Sequence, residues 1–154
     1  KGFKQFLKTL TGGRISIAAL GLGICEAAYQ ASVKYATERD AFGRKISDFQ
    51  SIGFKLSDMA MQIEAAKHLV YNAAYLKDHG ESIIKEAAMA KLFTSELAMN
   101  ITTEAIQIHG GYGYIREYNV ERFFRDAKIL EIGEGTSEVQ RIIISREILK
   151  SLSY

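Results

Sequence analysis

Proline is absent from this 154-residue chain, although average usage would supply about seven. Because proline breaks helix interiors, its absence permits long helices. The single cysteine, Cys25, excludes an internal disulfide framework and a zinc site built from several cysteines. The formal net charge of +2 argues against nucleic-acid binding through bulk charge. No uninterrupted run of 18 apolar residues occurs, so we predict no membrane-spanning helix.

Composition and length predict one globular domain over residues 1–154. Apolar residues make up 47% of the chain and charged residues 25%, which is ordinary for a soluble domain. The first residues lack the apolar core of a signal peptide, and the chain does not begin with methionine. We therefore expect a fragment or a processed chain, located in the bacterial cytoplasm or, in a eukaryote, in the mitochondrial matrix.

Apolar residues recur at alternating spacings of three and four, which is typical of helices that pack at shallow angles. The stripes predict long helices over residues 13–38, 49–80, 81–109 and 139–149, with a short helix over 120–127. Ser47 and Gln50 fit a capping box at the start of the second helix, and Gly80 fits a left-handed residue after its end. No segment predicts a strand. The predicted fold is all-α, an up-down antiparallel four-helix bundle with one short extra helix.

Several residues that often carry chemistry have simpler explanations here. Gly21 and Gly23 do not follow a strand or match a nucleotide-binding loop, and they are expected to let two helices approach closely. Cys25 lies on an apolar stripe, which favours a core residue over a nucleophile. The three histidines share no ligand spacing, so no metal site is expected.

A cationic segment, residues 39–45, follows the first long helix. One interpretation is a solvated helix end whose positive charges complement the helix dipole. The alternative is an anion clamp, in which Arg39 forms a bidentate contact to a phosphate and Phe42 offers a face to a planar ring. Composition favours neither interpretation.

The third long helix runs into a glycine-rich segment that begins at Gln107. Glycines 110, 111 and 113 are compatible with a plain loop, and equally with a place where a ligand touches bare backbone. In the second case the amide of Gln107, in the last helical turn, would donate a hydrogen bond to the ligand and accept one from it.

Glu134 lies between two glycines just before the last helix. The flanking glycines expose its carboxylate, and a helix N-terminus beside it offers unpaired N–H groups. One interpretation is an acidic cluster that caps the helix. The other is a general base with backbone donors beside it, suited to removing a proton α to a carbonyl. Spacing alone leaves both open.

Six segments, taken in order, resemble the C-terminal helical domain of flavin-dependent acyl-CoA dehydrogenases. The resemblance covers almost the whole chain, and the order of the segments makes it specific. The segments are Gly13-Arg14-Ile15, Glu38-Arg39-Asp40-Ala41-Phe42-Gly43, Phe49-Gln50, Gln107-Ile108-His109-Gly110-Gly111-Tyr112-Gly113, Arg125-Asp126-Ala127 and Glu134-Gly135-Thr136-Ser137-Glu138-Val139-Gln140-Arg141.

The resemblance implies an activity. Such enzymes use FAD to oxidise the Cα–Cβ bond of an acyl-CoA thioester to a trans-2-enoyl-CoA, as in fatty acid β-oxidation, and pass electrons to an electron-transferring flavoprotein. They are homo-oligomers (dimers or homotetramers, that is, dimers of dimers) and carry N-terminal α and middle β domains that this chain lacks. The chain alone is therefore expected to be inactive.

The resemblance also implies residue roles. Glu134 matches the base that removes the α proton, and Arg14 and Gly135 match residues at the acyl-CoA side. The residues matching a grip on the FAD of a neighbouring subunit are Arg39, Phe42, Gln50, Gln107, Gly110 and Gly111. Thr136 and Glu138 match contacts to the FAD of the same subunit.

The chain departs from the family pattern at four positions. Gly133 replaces a frequent aromatic residue, and Thr11 replaces an acidic one. Glu138 replaces a frequent amide, so its charge near FAD would need a compensating cation. Some members place the base one residue before the arginine matching Arg14, where this chain has Gly13, which favours Glu134 as the base.

These features favour a short-chain or short-branched-chain dehydrogenase, although pockets discriminate by only ~1–3 kcal/mol per methylene and the residues do not fix chain length. Two alternatives remain at this point. One is a relative with other redox chemistry, an acyl-CoA oxidase or an enoyl-CoA reductase. The other is a structural or oligomerisation bundle.

Overall fold

The computed structural model describes residues 2–150 and 152, with the side chains of residues 3–8 excepted. The described residues form five α-helices, which confirms the predicted all-α class. Their bounds are α1 (Gly2–Glu38), α2 (Gln50–Asp78), α3 (Ile84–His109), α4 (Val120–Lys128) and α5 (Ser137–Lys150). Short 3₁₀ turns over Ile46–Asp48, Gly110–Tyr114 and Ile129–Glu131 connect them.

The predicted stripes of α1 and α2 form the apolar core. Ile15, Leu22, Met59, Ile63 and Val70 are all at most 8% exposed. Burying side chains of this size stabilises a fold by ~1.5–3 kcal/mol each. Many core positions between them are alanine, which lets the helix backbones approach closely.

Helix α3 is the central element, because it contacts α1, α2, α4 and α5. It is buried on several sides, so its predicted single stripe was incomplete. Ala88, Ser95 and Thr102 of that stripe are buried, but Ile84 is 40% exposed. A helix that packs against neighbours on several sides has no single apolar face, so the spacing of its apolar residues does not show which side chains are buried.

Two predicted helix starts were wrong. Helix α1 continues through Gly13 to Gly2, because Gly13 is accommodated inside the helix rather than ending it. Helix α2 begins at Gln50 with Phe49 as its N-cap, so Ser47 is not the cap. Ser47 instead belongs to the 3₁₀ turn that leads out of the preceding segment. The predicted end at Gly80 is confirmed, with a φ of +76°.

A small hairpin interrupts the helical chain where no strand was predicted. Strands β1 (Asp40–Ala41) and β2 (Arg44–Lys45) pair antiparallel, with Asp40 opposite Lys45. Phe42 and Gly43 both have positive φ, +53° and +80°, as a two-residue type I′ turn requires. Strands of two residues are too short for a period of two to register in the sequence.

Residues Thr9–Glu38 of α1 are long and apolar enough, by length and composition alone, to span a membrane. The sequence analysis required an uninterrupted apolar run and therefore did not predict such a helix. Isolated polar residues break the run but lower the mean hydropathy of the segment only slightly. The core helix of a soluble bundle meets the same criteria. The contacts of α1 with α2 and α3 account for its apolar composition in this fold.

The two glycines predicted to permit close helix contact prove to differ. At Gly21 a Cβ would lie 3.3 Å from the Thr94 carbonyl oxygen and 3.4 Å from a Leu130 methyl carbon, whereas at Gly23 it would meet nothing within 4 Å.

We predict that Gly23→Ala stabilises the chain by ~0.5–1 kcal/mol through helix propensity. Gly21→Ala should be at least ~1 kcal/mol less stable than Gly23→Ala because of overpacking. Urea unfolding followed by circular dichroism measures both, and equal stabilities would contradict the close contact.

Cys25 is fully buried, and burial raises the pKa of its thiol to about 12. We predict that the folded chain does not react with a thiol reagent at pH 8, since the thiolate is the reactive form. In guanidinium chloride one thiol per chain should react. Fast reaction under native conditions would mean that Cys25 is accessible, contrary to its position in the core.

Candidate functional site

Glu134 lies in the connection between the 3₁₀ turn Ile129–Glu131 and α5. Its φ is +55°, and that of the following Gly135 is +93°. A left-handed conformation is strained for a residue with a Cβ, so the surrounding contacts must impose it. The N–H of Glu134 forms no hydrogen bond within the described part of the chain. It therefore remains able to donate to a ligand.

The carboxylate of Glu134 lies over Gly13 of α1. A Cβ built on Gly13 would be 2.8 Å from Oε2 of Glu134 and 3.2 Å from its Cδ. Any other residue at position 13 would therefore compete for this space. A side chain at position 13 would thus reach the point that the Glu134 carboxylate occupies.

Two buried cations lie close to this carboxylate. Arg14 is 8% exposed, and burial lowers the pKa of its guanidinium while Glu134 opposes that effect. Lys91 of α3 has no exposed surface, and burial lowers its pKa, opposed by carboxylates that include Glu131 and Glu134. The ammonium of Lys91 donates to the Gly135 carbonyl oxygen at 2.7 Å. The Glu134 carboxylate thus lies near two buried cations, with the carboxylates of Glu131 and Glu138 also near Lys91.

Unpartnered polar atoms concentrate at this end of the bundle. Among the described residues, the buried side-chain atoms without a hydrogen-bond partner are Arg14 Nε, Ser137 Oγ and Gln140 Oε1. Leaving such a group unpaired costs about 1–3 kcal/mol. Arg14 follows Gly13 in α1, and the other two residues lie in the first turn of α5. Such a cluster of unpartnered atoms is expected for a site that completes its hydrogen bonds with a ligand or water.

The two other residues predicted beside Glu134 are Thr136, just before α5, and Glu138, in its first turn. The N–H of Val139 donates to Thr136 Oγ1 at 3.4 Å. The pKa of the Glu138 carboxyl is lowered, first by a hydrogen bond from Thr136 and then by its own backbone N–H, with Arg141 and Lys128 adding positive charge. Both cations also pair with other carboxylates, so the positive charge near Glu138 is shared.

A second cluster lies at the other end of α1. The guanidinium of Arg39 lies 5.4 Å from the ring centroid of Tyr112. A pocket of about 460 Å³ opens beside it, lined by aromatic side chains and by the backbone of Gly110 and Gly111. A Cβ at either glycine would meet nothing within 4 Å, so their backbone is open to the pocket. Gln107 is exposed just before them.

The hairpin adds Phe42 and Gln50 to this end. The Phe42 side chain is 96% exposed and approaches Phe49, edge to face, with ring centroids 6.1 Å apart. Gln50 is exposed beside Phe49. Lys45 pairs with Asp40 at 2.9 Å, but neither Arg39 nor Arg44 forms an ion pair with a described carboxylate. Arginines without an ion pair are compatible with both the anion clamp and the solvated helix end.

Gly113 has a purely structural role in the glycine segment. A Cβ there would lie 2.6 Å from the carbonyl oxygen of Ile106 and 2.9 Å from the Cβ of His109. His109 itself is buried, donates from Nδ1 to the Ala105 carbonyl oxygen at 2.7 Å, and stacks on Tyr35 at 4.3 Å. The sequence reasoning did not single out either Tyr35 or His109.

The sequence reasoning also missed Lys91 and Gln140, although both leave a signal. Lys91 is a cation in a stretch of α3 rich in alanine, and Gln140 lies between Val139 and the isoleucine run 142–144 of α5. Gln140 is fully buried and donates from Nε2 to the carbonyl oxygens of Glu134 and Gly135, at 3.2 and 2.8 Å. The spacing of apolar residues does not reveal a buried polar residue, so the periodicity analysis passed over both.

The two clusters cannot serve one small ligand within one chain. Arg14 and Arg39 are about 25 residues apart in α1, or roughly 37 Å at the rise of an α-helix. The structure therefore joins Arg14 with Glu134, Gly135 and α5, and joins Arg39 with Gly110 and Gly111. It does not bring the two groups together.

Residues 1–149 match the family model for the C-terminal domain of acyl-CoA dehydrogenases. The chain belongs to this family. A probable acyl-CoA dehydrogenase of Bacillus subtilis is 63% identical over 97% of this chain and 40% of its own length. The caffeyl-CoA reductase-Etf complex subunit CarC of Acetobacterium woodii is 51% identical over the same shares.

The fold agrees with a solved acyl-CoA dehydrogenase. Butyryl-CoA dehydrogenase from Megasphaera elsdenii matches with a TM-score of 0.96 and 54% identity, over 97% of this chain and 39% of that protein. The chain thus spans about 40% of the length of the relatives it matches. In this acyl-CoA dehydrogenase domain, both clusters are built from residues inside the matched region.

His109 generates a pH dependence of stability. Burial lowers its pKa below the ordinary value of 6.5. As pH falls through 6.5, the unfolded chain takes up a proton that the folded chain does not, so the free energy of unfolding decreases until the folded pKa is reached. We predict that His109→Asn loses less stability than the parent between pH 7.5 and 5.0 in urea titrations. His68→Asn, at an exposed histidine, is the matched control, and an identical loss in all three proteins would contradict the prediction.

Proposed function

We propose that this chain is the C-terminal domain of a FAD-dependent enzyme that removes hydrogen from the Cα–Cβ bond of short acyl-CoA thioesters. The observation that carries the proposal is the carboxylate of Glu134, which lies over Gly13 and near the buried cations Arg14 and Lys91. The preceding domains, which the relatives' length implies, would complete the substrate pocket.

The side chains of this site are suited to proton removal. The Glu134 carboxylate accepts the α proton of the thioester, and the C–H electron pair moves towards the thioester carbonyl. The unpaired N–H of Glu134 donates to that carbonyl oxygen, which stabilises the developing negative charge. The buried Arg14 guanidinium places a positive charge near the Glu134 carboxylate.

The described residues fit FAD in two places. The pocket beside Arg39 offers a guanidinium, aromatic rings and bare backbone, which suit phosphates and a planar ring. The first turn of α5, with the unpartnered Ser137 Oγ, would hold the flavin of the same subunit. When bound, FAD would supply the acceptor for the hydride that leaves the β-carbon. Since the two places are roughly 37 Å apart along α1, we propose that each serves the FAD of a different subunit.

The remaining partners follow from the same proposal. An electron-transferring flavoprotein would reoxidise the enzyme. The Acetobacterium woodii relative is itself a subunit of a caffeyl-CoA reductase-Etf complex, which supports such a partner. A dimer or a dimer of dimers would bring the Arg39 cluster of one subunit to the FAD of its neighbour. The short-chain relative from Megasphaera elsdenii supports a short acyl group.

One observation favours a second candidate, an enoyl-CoA reductase. A relative named as a caffeyl-CoA reductase subunit is 51% identical to this chain. Glu134 would then donate the α proton that it removes in the oxidation. Comparing butyryl-CoA with an oxidised acceptor against crotonyl-CoA with a reduced donor, in the full-length protein, distinguishes the two directions by their relative rates.

We predict that Glu134→Gln in the full-length protein lowers the rate at which an acyl-CoA bleaches the flavin by at least about 100-fold. The reason is that an amide cannot accept the α proton. FAD content, measured from the absorbance of the purified protein, should stay at the parental level.

Glu64→Gln is the matched control, since Glu64 is an exposed carboxylate on α2 far along the chain from the site. It should bleach at the parental rate. Undiminished bleaching in Glu134→Gln would remove Glu134 from the role of base.

A further inference from the structure

Two successive carbonyl groups at the site are held from inside the bundle. Gln140 Nε2 donates to the carbonyl oxygens of Glu134 and Gly135, at 3.2 and 2.8 Å. The ammonium of Lys91 donates to the same Gly135 oxygen at 2.7 Å. The anchors come from α5 and α3, so the Glu134–Gly135 peptide is fixed from two directions.

Stability alone does not explain Lys91. Its side chain has no exposed surface, and it forms no ion pair with a carboxylate among the described residues. Removing an ammonium from water is unfavourable, and an apolar residue of similar volume is often neutral or stabilising at such a place. The Gly135 carbonyl would also keep its bond from Gln140 if Lys91 were lost. Burying the Lys91 ammonium therefore lowers the free energy of unfolding.

The anchors act on a strained part of the backbone. Glu134 has a φ of +55°, which its Cβ disfavours. A relaxation to negative φ would swing the carboxylate away from Gly13 and reorient the N–H of Glu134. A displacement of about 1 Å at a reacting group can lower a rate about 100-fold.

We propose that Lys91 and Gln140 are positioning residues, which hold Glu134 in its left-handed conformation over Gly13 by binding the carbonyl oxygens of Glu134 and Gly135. The inference rests on the proposed function, because it names what sets the base of that reaction in place. Neither residue contacts the substrate in this arrangement. Both act through the backbone of the segment that carries Glu134.

The test uses the full-length protein with the variants Lys91→Met and Gln140→Met. Exchange of the α proton of butyryl-CoA with deuterium from the solvent reports the base directly, without hydride transfer. We expect each variant to exchange about 10- to 100-fold more slowly than the parent, with kcat reduced to a similar extent. KM should change less than about threefold, since the lost alignment concerns the transition state.

A merely structural role predicts a different pattern. It would lower the thermal midpoint and FAD content, with the exchange rate per folded, FAD-loaded molecule unchanged. Each methionine variant leaves one donor on the Gly135 carbonyl, so neither creates an orphaned group there. If one variant does not fold, the other decides the outcome. Thr102→Val, which removes a buried hydroxyl elsewhere on α3, is the control and should exchange at the parental rate.

The outcomes separate the inference from the proposed function. Slow exchange in the folded variants, with Thr102→Val unchanged, supports the inference. Exchange within twofold of the parent in a folded Lys91→Met or Gln140→Met protein overturns it, while Glu134→Gln still fails to exchange. Exchange that persists in Glu134→Gln overturns the proposed function and the inference together.

Discussion

The absence of a side chain at Gly13 is the constraint on which the Glu134 end of the bundle depends. The Glu134 carboxylate occupies the space that a Cβ on Gly13 would need. That contact ties the segment before α5 to the part of α1 that precedes the buried Arg14, whose charge acts on the carboxylate. The opposing side of the same segment is held by Lys91 and Gln140. The Glu134 segment thus has room for its carboxylate over Gly13 on one side and is held by hydrogen bonds on the other.

The central position of α3 makes these polar contacts possible. Most of its inward side chains are small, and the hydroxyls of Thr94, Ser95 and Thr102 donate to carbonyl oxygens one turn earlier. Buried hydroxyls satisfied within their own helix add no demand on the neighbours. Lys91 differs, because its hydrogen bond leaves the helix and reaches Gly135 before α5. The one cation buried in α3 is also the one that connects the core to the proposed site.

The long α1 places the two clusters far apart. Arg14 contributes to the Glu134 end, while Arg39 lies beside the pocket formed with Gly110 and Gly111. Among the described residues, Ser137 Oγ in the first cluster has no hydrogen-bond partner, and Arg39 in the second forms no ion pair with a carboxylate. Such incompleteness is physically reasonable for a domain that spans about 40% of its relatives' length. In the proposed function, further domains and neighbouring subunits would supply the missing surfaces.

The sequence by itself determined the helical class, the stripes of α1 and α2, the ends at Gly80 and Gly110, and the family through its ordered motifs. These features are local, since a period of 3.6 residues or a glycine at a helix end acts within a few turns. Only the tertiary structure decided that α1 runs through Gly13, that α3 is buried on several sides, and that Lys91 and Gln140 hold the Glu134 segment. Each of these depends on groups distant in the chain that meet in space, which no local pattern encodes.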